Sequence, residues 1–330
     1  MSSILESSIQ ARLPAAEERP SAIIETMTST QFVLVALVSL GVVLAWWHLM
    51  GLSRRLAQTT LLPAGRWCLA AAALWTVTWA LDIAGRQLST ALSDHLWYAS
   101  AVLSLCAPMS VLGSRRPGTR VWTWFILIPM LFALGWPVMT LWLQGSDVRG
   151  LQLETPQLAG YLLVLVMGAG NYFGTRFTIA GLLFVAGNSL LVISTSSAGA
   201  GILPDRWWAR LLATGCMVLA VLTCARGATS ASLGQSPFDR LWLDFFDQFG
   251  VVWGRRIQDR VNFIADKERW PARLELHGFE WKSAPDVATQ ARIEHTFRWL
   301  LRRFVDPPWI DRRLGTSHSG EECSPLGADS

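Results

Sequence analysis

The chain has 330 residues, of which 52% are apolar and only 16% charged, with a net charge of +4. The apolar residues arrive in long blocks, which excludes an ordinary soluble globular protein. The first 30 residues are polar and acidic, with Glu6, Glu17, Glu18 and Glu25 against Arg12 and Arg19. A secretory signal would begin with a basic end and a short apolar core. Residues 1–30 are therefore expected to be a disordered tail ahead of an uncleaved span.

Stretches of about 17 or more residues with few charges can cross a ~30 Å hydrocarbon layer. Roughly seven occur, over 31–51, 66–83, 96–113, 121–143, 157–173, 177–195 and 207–225. Glycine, proline or asparagine interrupts the third, fifth and sixth. The loops after the first, third and fifth carry Arg54, Arg55 and Arg66, then Arg115, Arg116 and Arg120, then Arg176. The alternate loops are balanced or acidic, with Asp82, Arg86 and Asp94, then Asp147, Arg149 and Glu154, then Asp205 and Arg206. Positive charge collects on cytoplasmic loops. The expected fold is thus an all-α polytopic membrane bundle over 31–226, with the N-terminus outside and the C-terminus inside. Tryptophans at the span ends, such as Trp46, Trp67, Trp97 and Trp207, suit the headgroup zone.

The spans offer little chemistry. Intramembrane ionisable residues are default functional candidates, yet Asp82 and Arg210 come only near a boundary. A retinal protein needs a lysine in its last helix, and "WWARLLATGCMVLAVLTCA" has none. "SDHLWY" pairs Asp94 with His95, a weak candidate for acid–base work at the outer face. The competing expectation is that Ser93 or Asp94 caps the third span while His95 meets the headgroups. His48, Cys68 and Cys224 share the inner end and could ligate zinc or copper, but they lack metal-ligand spacing. Pro108 in the third span and Pro129 and Pro137 in the fourth predict kinks.

"VLVMGAGNYFG", residues 164–174, resembles the glycine loop of a dinucleotide site. That fingerprint needs a third glycine where Phe173 stands, a preceding strand, and an acid about twenty residues on. All three fail, and no cofactor is expected. Gly168, Gly170 and Gly174 are instead expected to let helices approach closely at a tight hairpin between the fifth and sixth spans. Asn171 and Asn188 are expected to face neighbouring helices or free backbone carbonyls. A re-entrant hairpin here would change the span count.

After a polar linker at 227–235, Ser236 and Pro237 signal a helix start. Phe238, Leu241, Trp242, Phe245 and Phe249 then recur with a helical period. "RLELHGFEW" alternates as a short strand or hairpin, and a last helix spans about 286–305. Residues 236–305 read as a small cytoplasmic α-rich module that could lie on the inner membrane surface or bind a protein partner. Residues 306–330 read as largely disordered. Acids interleave with the basic residues, so nucleic acid is not an expected partner. Together these features predict a multi-pass protein of the cell membrane that scaffolds partners without catalysis. The alternatives are a carrier of a neutral or amphiphilic substrate and an outer-face enzyme.

Overall fold

The computed structural model describes residues 29–84, 89–143, 151, 153–195, 205–227 and 236–315. Among the described residues seven helices precede residue 228: α1 (Ser29–Leu56), α2 (Leu62–Ile83), α3 (Thr90–Leu112), α4, α5 (Thr155–Gly170), α6 (Thr178–Thr195) and α7 (Arg206–Gly227). Helix α4 runs without a break through Thr119–Trp122, Thr123–Leu127 and Ile128–Leu143. Its middle piece is a π-turn. That wider turn sits just before Pro129, which has no N–H to donate and whose ring crowds the carbonyl four residues back. Of the expected tails and linker, 1–28, 228–235 and 316–330 lie outside the described residues, as does Asp147.

Five of these helices are long and apolar enough to cross a membrane: α1, α3 over Ala91–Leu112, α4 over Thr119–Met139, α6 and α7. Helix α5 is apolar but has 16 residues, and α2 is diluted by Arg66, Asp82 and its threonines and tryptophans. This composition makes the chain a multi-pass membrane protein. Helix α3 is the hub and packs against α2, α4, α5 and α6. Within its apolar stretch 67% is buried inside the protein, against 17% in α1 and in α4. Its small residues Ser100, Ala101 and Ser104 let those neighbours come close. The outer helices turn their large side chains away from the protein: Phe32, Leu40, Val43 and Trp47 on α1, and Trp124, Phe125, Phe132 and Trp136 on α4. In water such a belt would be a liability; in lipid it is the natural surface.

The C-terminal module contains α8 (Pro237–Glu268), β1 (Ala272–Glu275), β2 (Gly278–Trp281), α9 (Val287–Leu301) and α10 (Pro307–Leu314). Ser236 caps α8 as expected, its hydroxyl accepting from the Asp239 N–H at 3.1 Å. The two strands form an antiparallel hairpin with Leu274 opposite Phe279. Asn262 of α8 binds the hairpin edge, accepting from Leu274 N at 2.8 Å and donating to Leu274 O at 2.9 Å.

The module's core is aromatic. Phe245 stacks on Phe249 with centroids 4.6 Å apart, and the Phe304 ring meets Phe245, Phe249 and Trp253 edge-on. The folded module also extends past residue 305, where the sequence suggested a tail. Pro307 opens α10, and Trp309 and Ile310 are each 1% exposed in the same core. The pair is too short to register as periodicity, and it is the rest of the core that holds it. Trp309→Ala is expected to cost about 3–5 kcal/mol, read as a lower unfolding midpoint in detergent. A change near zero would mean that α10 is not part of the core.

Candidate functional site at the bundle–module junction

The glycine stretch singled out above forms the centre of this junction. Helix α5 ends at Gly170, and Asn171 follows as its C-cap. Gly174 lies beyond the helix with φ +83°, so it serves the turn. A Cβ on Gly170 or Gly174 would meet nothing within 4 Å. The close helix approach comes from Gly168, where a Cβ would lie 3.1 Å from Pro108 of α3. Gly187 of α6 makes a similar approach to α7, 3.0 Å from the Ala213 carbonyl.

Asn171 is 2% exposed and reaches across to α8. There the helix is interrupted at Gly250, with φ 78° and ψ −178°, a conformation open in practice only to glycine. The interruption frees backbone groups that a continuous helix would pair. Asn171 takes three of them. Its Nδ2 donates to Phe249 O at 3.1 Å, its Oδ1 accepts from Val252 N at 3.0 Å, and its own carbonyl accepts from Val251 N at 2.8 Å. A Cβ on Gly250 would lie 2.2 Å from Asn171 Nδ2, so the bonding also requires the missing side chain.

The arginine-bearing loops all dock on the same module, the α5–α6 loop through Arg176 as well. Arg176 N donates to Asp247 Oδ1 at 2.9 Å and Arg176 Nη2 to Asp244 Oδ1 at 3.1 Å. Asp244 also accepts from Arg313 Nε of α10 at 2.7 Å. The Arg176 Nε lies 3.0 Å from Asp247 Oδ2, an ion pair without hydrogen-bond alignment. From the α3–α4 loop, Arg116 pairs with Asp306 at 2.6 Å, and Arg116 N donates to Arg303 O at 2.9 Å. Trp253 Nε1 donates to Val111 O at the end of α3, at 3.1 Å. From the α1–α2 loop, Thr60 N donates to Phe304 O at 2.8 Å, while Gln58 O accepts from Asp306 N at 2.9 Å. Leu61, Ala64 and Val111 belong to the module's own hydrophobic core. Loops one, three and five therefore meet one surface.

At the far end of the bundle a second constellation ties α2, α3 and α7. Arg210 Nη1 donates to Asp82 at 3.2 and 3.3 Å, and Nη2 donates to Asp94 Oδ1 at 2.6 Å. Arg206 holds the other Asp94 oxygen at 2.8 Å. Ser93 and Trp97 Nε1 both donate to Asp82, at 3.1 and 3.3 Å. The cap expected at Ser93 or Asp94 is made instead by Ser89, whose hydroxyl accepts from Leu92 N. With the helix starting there, Asp94 lies a turn inside α3, where its carboxylate accepts from two arginines. His95 is 4% exposed, with Nδ1 2.6 Å from Ala91 O, so its ring packs within the protein. Both Asp94 oxygens and the Nδ1 of His95 thus already have partners.

Asn188 is fully buried at mid-bundle. Its Oδ1 accepts from Ser104 at 2.8 Å and from Tyr161 at 2.9 Å, and its Nδ2 donates to Phe184 O at 3.0 Å. It thus links α6 to α3 and α5. His48 is exposed on α1. Among the described residues, no three His, Cys, Asp or Glu side chains gather into a metal-binding group, so His48, Cys68 and Cys224 form none. The ionic constellation was not legible as such, because Arg210 stands 128 residues from Asp82 and 116 from Asp94. The available signal was opposite charge at similar depth in two boundary segments. Comparison with protein-family models, curated proteins and solved structures finds no match to this chain.

Two outcomes follow from the junction. Asn171→Ala leaves Phe249 O and Val252 N without their partners, at about 1–3 kcal/mol for the buried Phe249 O. Gly250→Ala adds backbone strain of order 1–3 kcal/mol. Both variants should melt well below the wild type in detergent, and a wild-type midpoint for either would refute the bonding described. Burial raises the Asp247 carboxyl above its ordinary value of 3.8, and the Arg176 charge only partly opposes this. A raised folded value means that the stability from Asp247 is full below 3.8 and is lost as pH rises through the folded value. The stability difference, wild type minus Asp247→Asn, should therefore fall with rising pH across that range. A pH-independent difference would count against it.

Proposed function

We propose that the chain is a seven-crossing protein of the cell membrane, with its N-terminus outside and its C-terminus inside. In this reading it is a non-catalytic scaffold or accessory subunit that presents a fixed cytoplasmic platform to a protein partner. The observation that carries the reading is the shared core between the module and the loops after α1, α3 and α5. An odd number of crossings puts those three loops and the C-terminus on one side, and they are the arginine-rich loops. Helices α2 and α5, short of apolar residues or of length, would cross as internal members of the bundle.

The platform is rigid because the module shares hydrophobic core and hydrogen bonds with the bundle, where a tethered domain would swing. The interior of the bundle is packed with fully buried Trp97, Tyr98, Tyr161, Leu165 and Leu191, which speaks against a substrate passage. Occupied oxygens on Asp94 speak against catalysis at the outer face. A partner would meet the exposed side of the module, including a polar groove of about 430 Å³ lined by Arg255, Asp259, Asn262, Asp266 and Arg273.

Two experiments test this. Reporters fused after Gly315 and in the first loop should both report the cytoplasm, and a split result refutes the topology. Purification in mild detergent should recover a stoichiometric protein partner that is lost when Asp259 and Arg273 are replaced by Ala. A chain recovered alone argues against the scaffold.

A further inference from the structure

Helix α8 crosses the end of the bundle sideways. Asp244 and Asp247 meet Arg176, the next turn meets Asn171 at the end of α5, and Trp253 meets Val111 at the end of α3. Beyond Trp253 the helix continues alongside the hairpin, where Gln258 and Asn262 bond Leu274. The end of α9 lies beside the same α3–α4 loop, since Arg303 O accepts from Arg116 N.

On this part of α8, Arg256, Arg260, Phe263 and Lys267 fall at helical spacing on one exposed face. Phe263 is 59% exposed and Trp299 of α9 47%. Each arginine leans on a ring: Arg256 over Trp253 at 4.9 Å, Arg260 over Phe263 at 5.3 Å and Arg303 over Trp299 at 5.8 Å. Between α8 and α9 runs an open groove of about 290 Å³, lined by Arg260, Phe263, Lys267, Glu268, His295 and Trp299, with Glu268 accepting from Trp270 Nε1 at 3.0 Å. The acids Asp259 and Asp266 lie on the adjoining face and pair with Arg255 and Arg273.

We infer that this arginine–aromatic stripe binds the phosphate headgroups of anionic lipids in the membrane that the chain crosses. Guanidinium matches phosphate in bidentate geometry, and exposed indole and phenyl rings suit the headgroup zone. The stripe continues through Arg303, whose carbonyl accepts from Arg116 N, into the α3–α4 loop, which carries exposed Arg115 and Arg120 and leads into α4 with its exposed Trp124. That continuity, with the charge complementarity, selects lipid over a protein occupant. The inference rests on the reading above that these loops lie at the membrane surface.

The test uses the full chain in neutral detergent, titrated with dioctanoyl phosphatidylglycerol and with dioctanoyl phosphatidylcholine, with binding followed by native mass spectrometry. The phosphatidylglycerol should bind more tightly. Its affinity should fall on the order of 100-fold in R256Q/R260Q/R303Q, about fivefold per arginine, with phosphatidylcholine binding unchanged. The control R255Q/R273Q on the adjoining face should leave both unchanged. If the triple variant does not fold, R260Q alone should still show the roughly fivefold loss. Undiminished phosphatidylglycerol binding in a folded variant overturns the assignment. So does an equal loss in the control, or a stripe found crosslinked to a second copy of the chain. Because the titration is blind to the side on which the C-terminus lies, its failure is separate from failure of the reporter test.

Discussion

At Gly250 the chain leaves helical geometry in the middle of a buried aromatic core, and Asn171 supplies the hydrogen bonds that the interruption would otherwise lack. Buried backbone groups without partners are costly, so neither feature is tolerable alone. A continuous α8 would offer Asn171 no free N–H or carbonyl. Without Asn171 the break would expose several such groups to an apolar interior. The two segments lie some 80 residues apart in sequence, and their mutual requirement locks the module to the end of α5. The ion pairs of Arg176 with Asp244 and Asp247, and the entry of Leu61 and Val111 into the module core, follow from that placement.

The same logic operates at two other levels of the bundle. Between lipid-embedded helices there is little hydrophobic force, so packing and interhelical hydrogen bonds set the arrangement. Asn188 gathers α3, α5 and α6 at mid-depth, and the set of Asp82, Asp94, Arg206 and Arg210 joins α2, α3 and α7 at the far end. In the far-end set the carboxylates and guanidiniums are matched within hydrogen-bonding distance. Breaking such a pair would leave a partly buried charge exposed to a poor solvent. The polar residues of the bundle therefore act as ties between helices, and Asp82 and Asp94 find Arg206 and Arg210 across 112 to 128 residues of sequence.

Much of this architecture was readable in the residues. Long apolar blocks marked where the helices are, Ser236–Pro237 marked the start of α8, and the alternation in "RLELHGFEW" marked the hairpin. The role of Asn171 was read only in part. Its amide had to find a partner, and a neighbouring element was the expected source, but the partner proved to be the interrupted α8. The glycines were read as a helix-packing set, yet they divide: Gly168 allows close approach to Pro108, Gly170 faces open space, and Gly174 serves a turn. Spacing alone cannot separate these roles, because a glycine carries no side chain whose chemistry betrays its surroundings.

By itself the sequence determined what depends on local composition: a helical, lipid-facing chain, a change of character near residue 227, and an excess of arginine on alternate loops. These are decided by transfer free energies and helical period, which act residue by residue. Tertiary structure alone decided which polar groups meet. It placed Asn171 in the gap at Gly250, gave Asp94 to Arg210 and Arg206, and drew Trp309 into the module core. Those contacts span many tens of residues, and their energies depend on distances that no local pattern encodes.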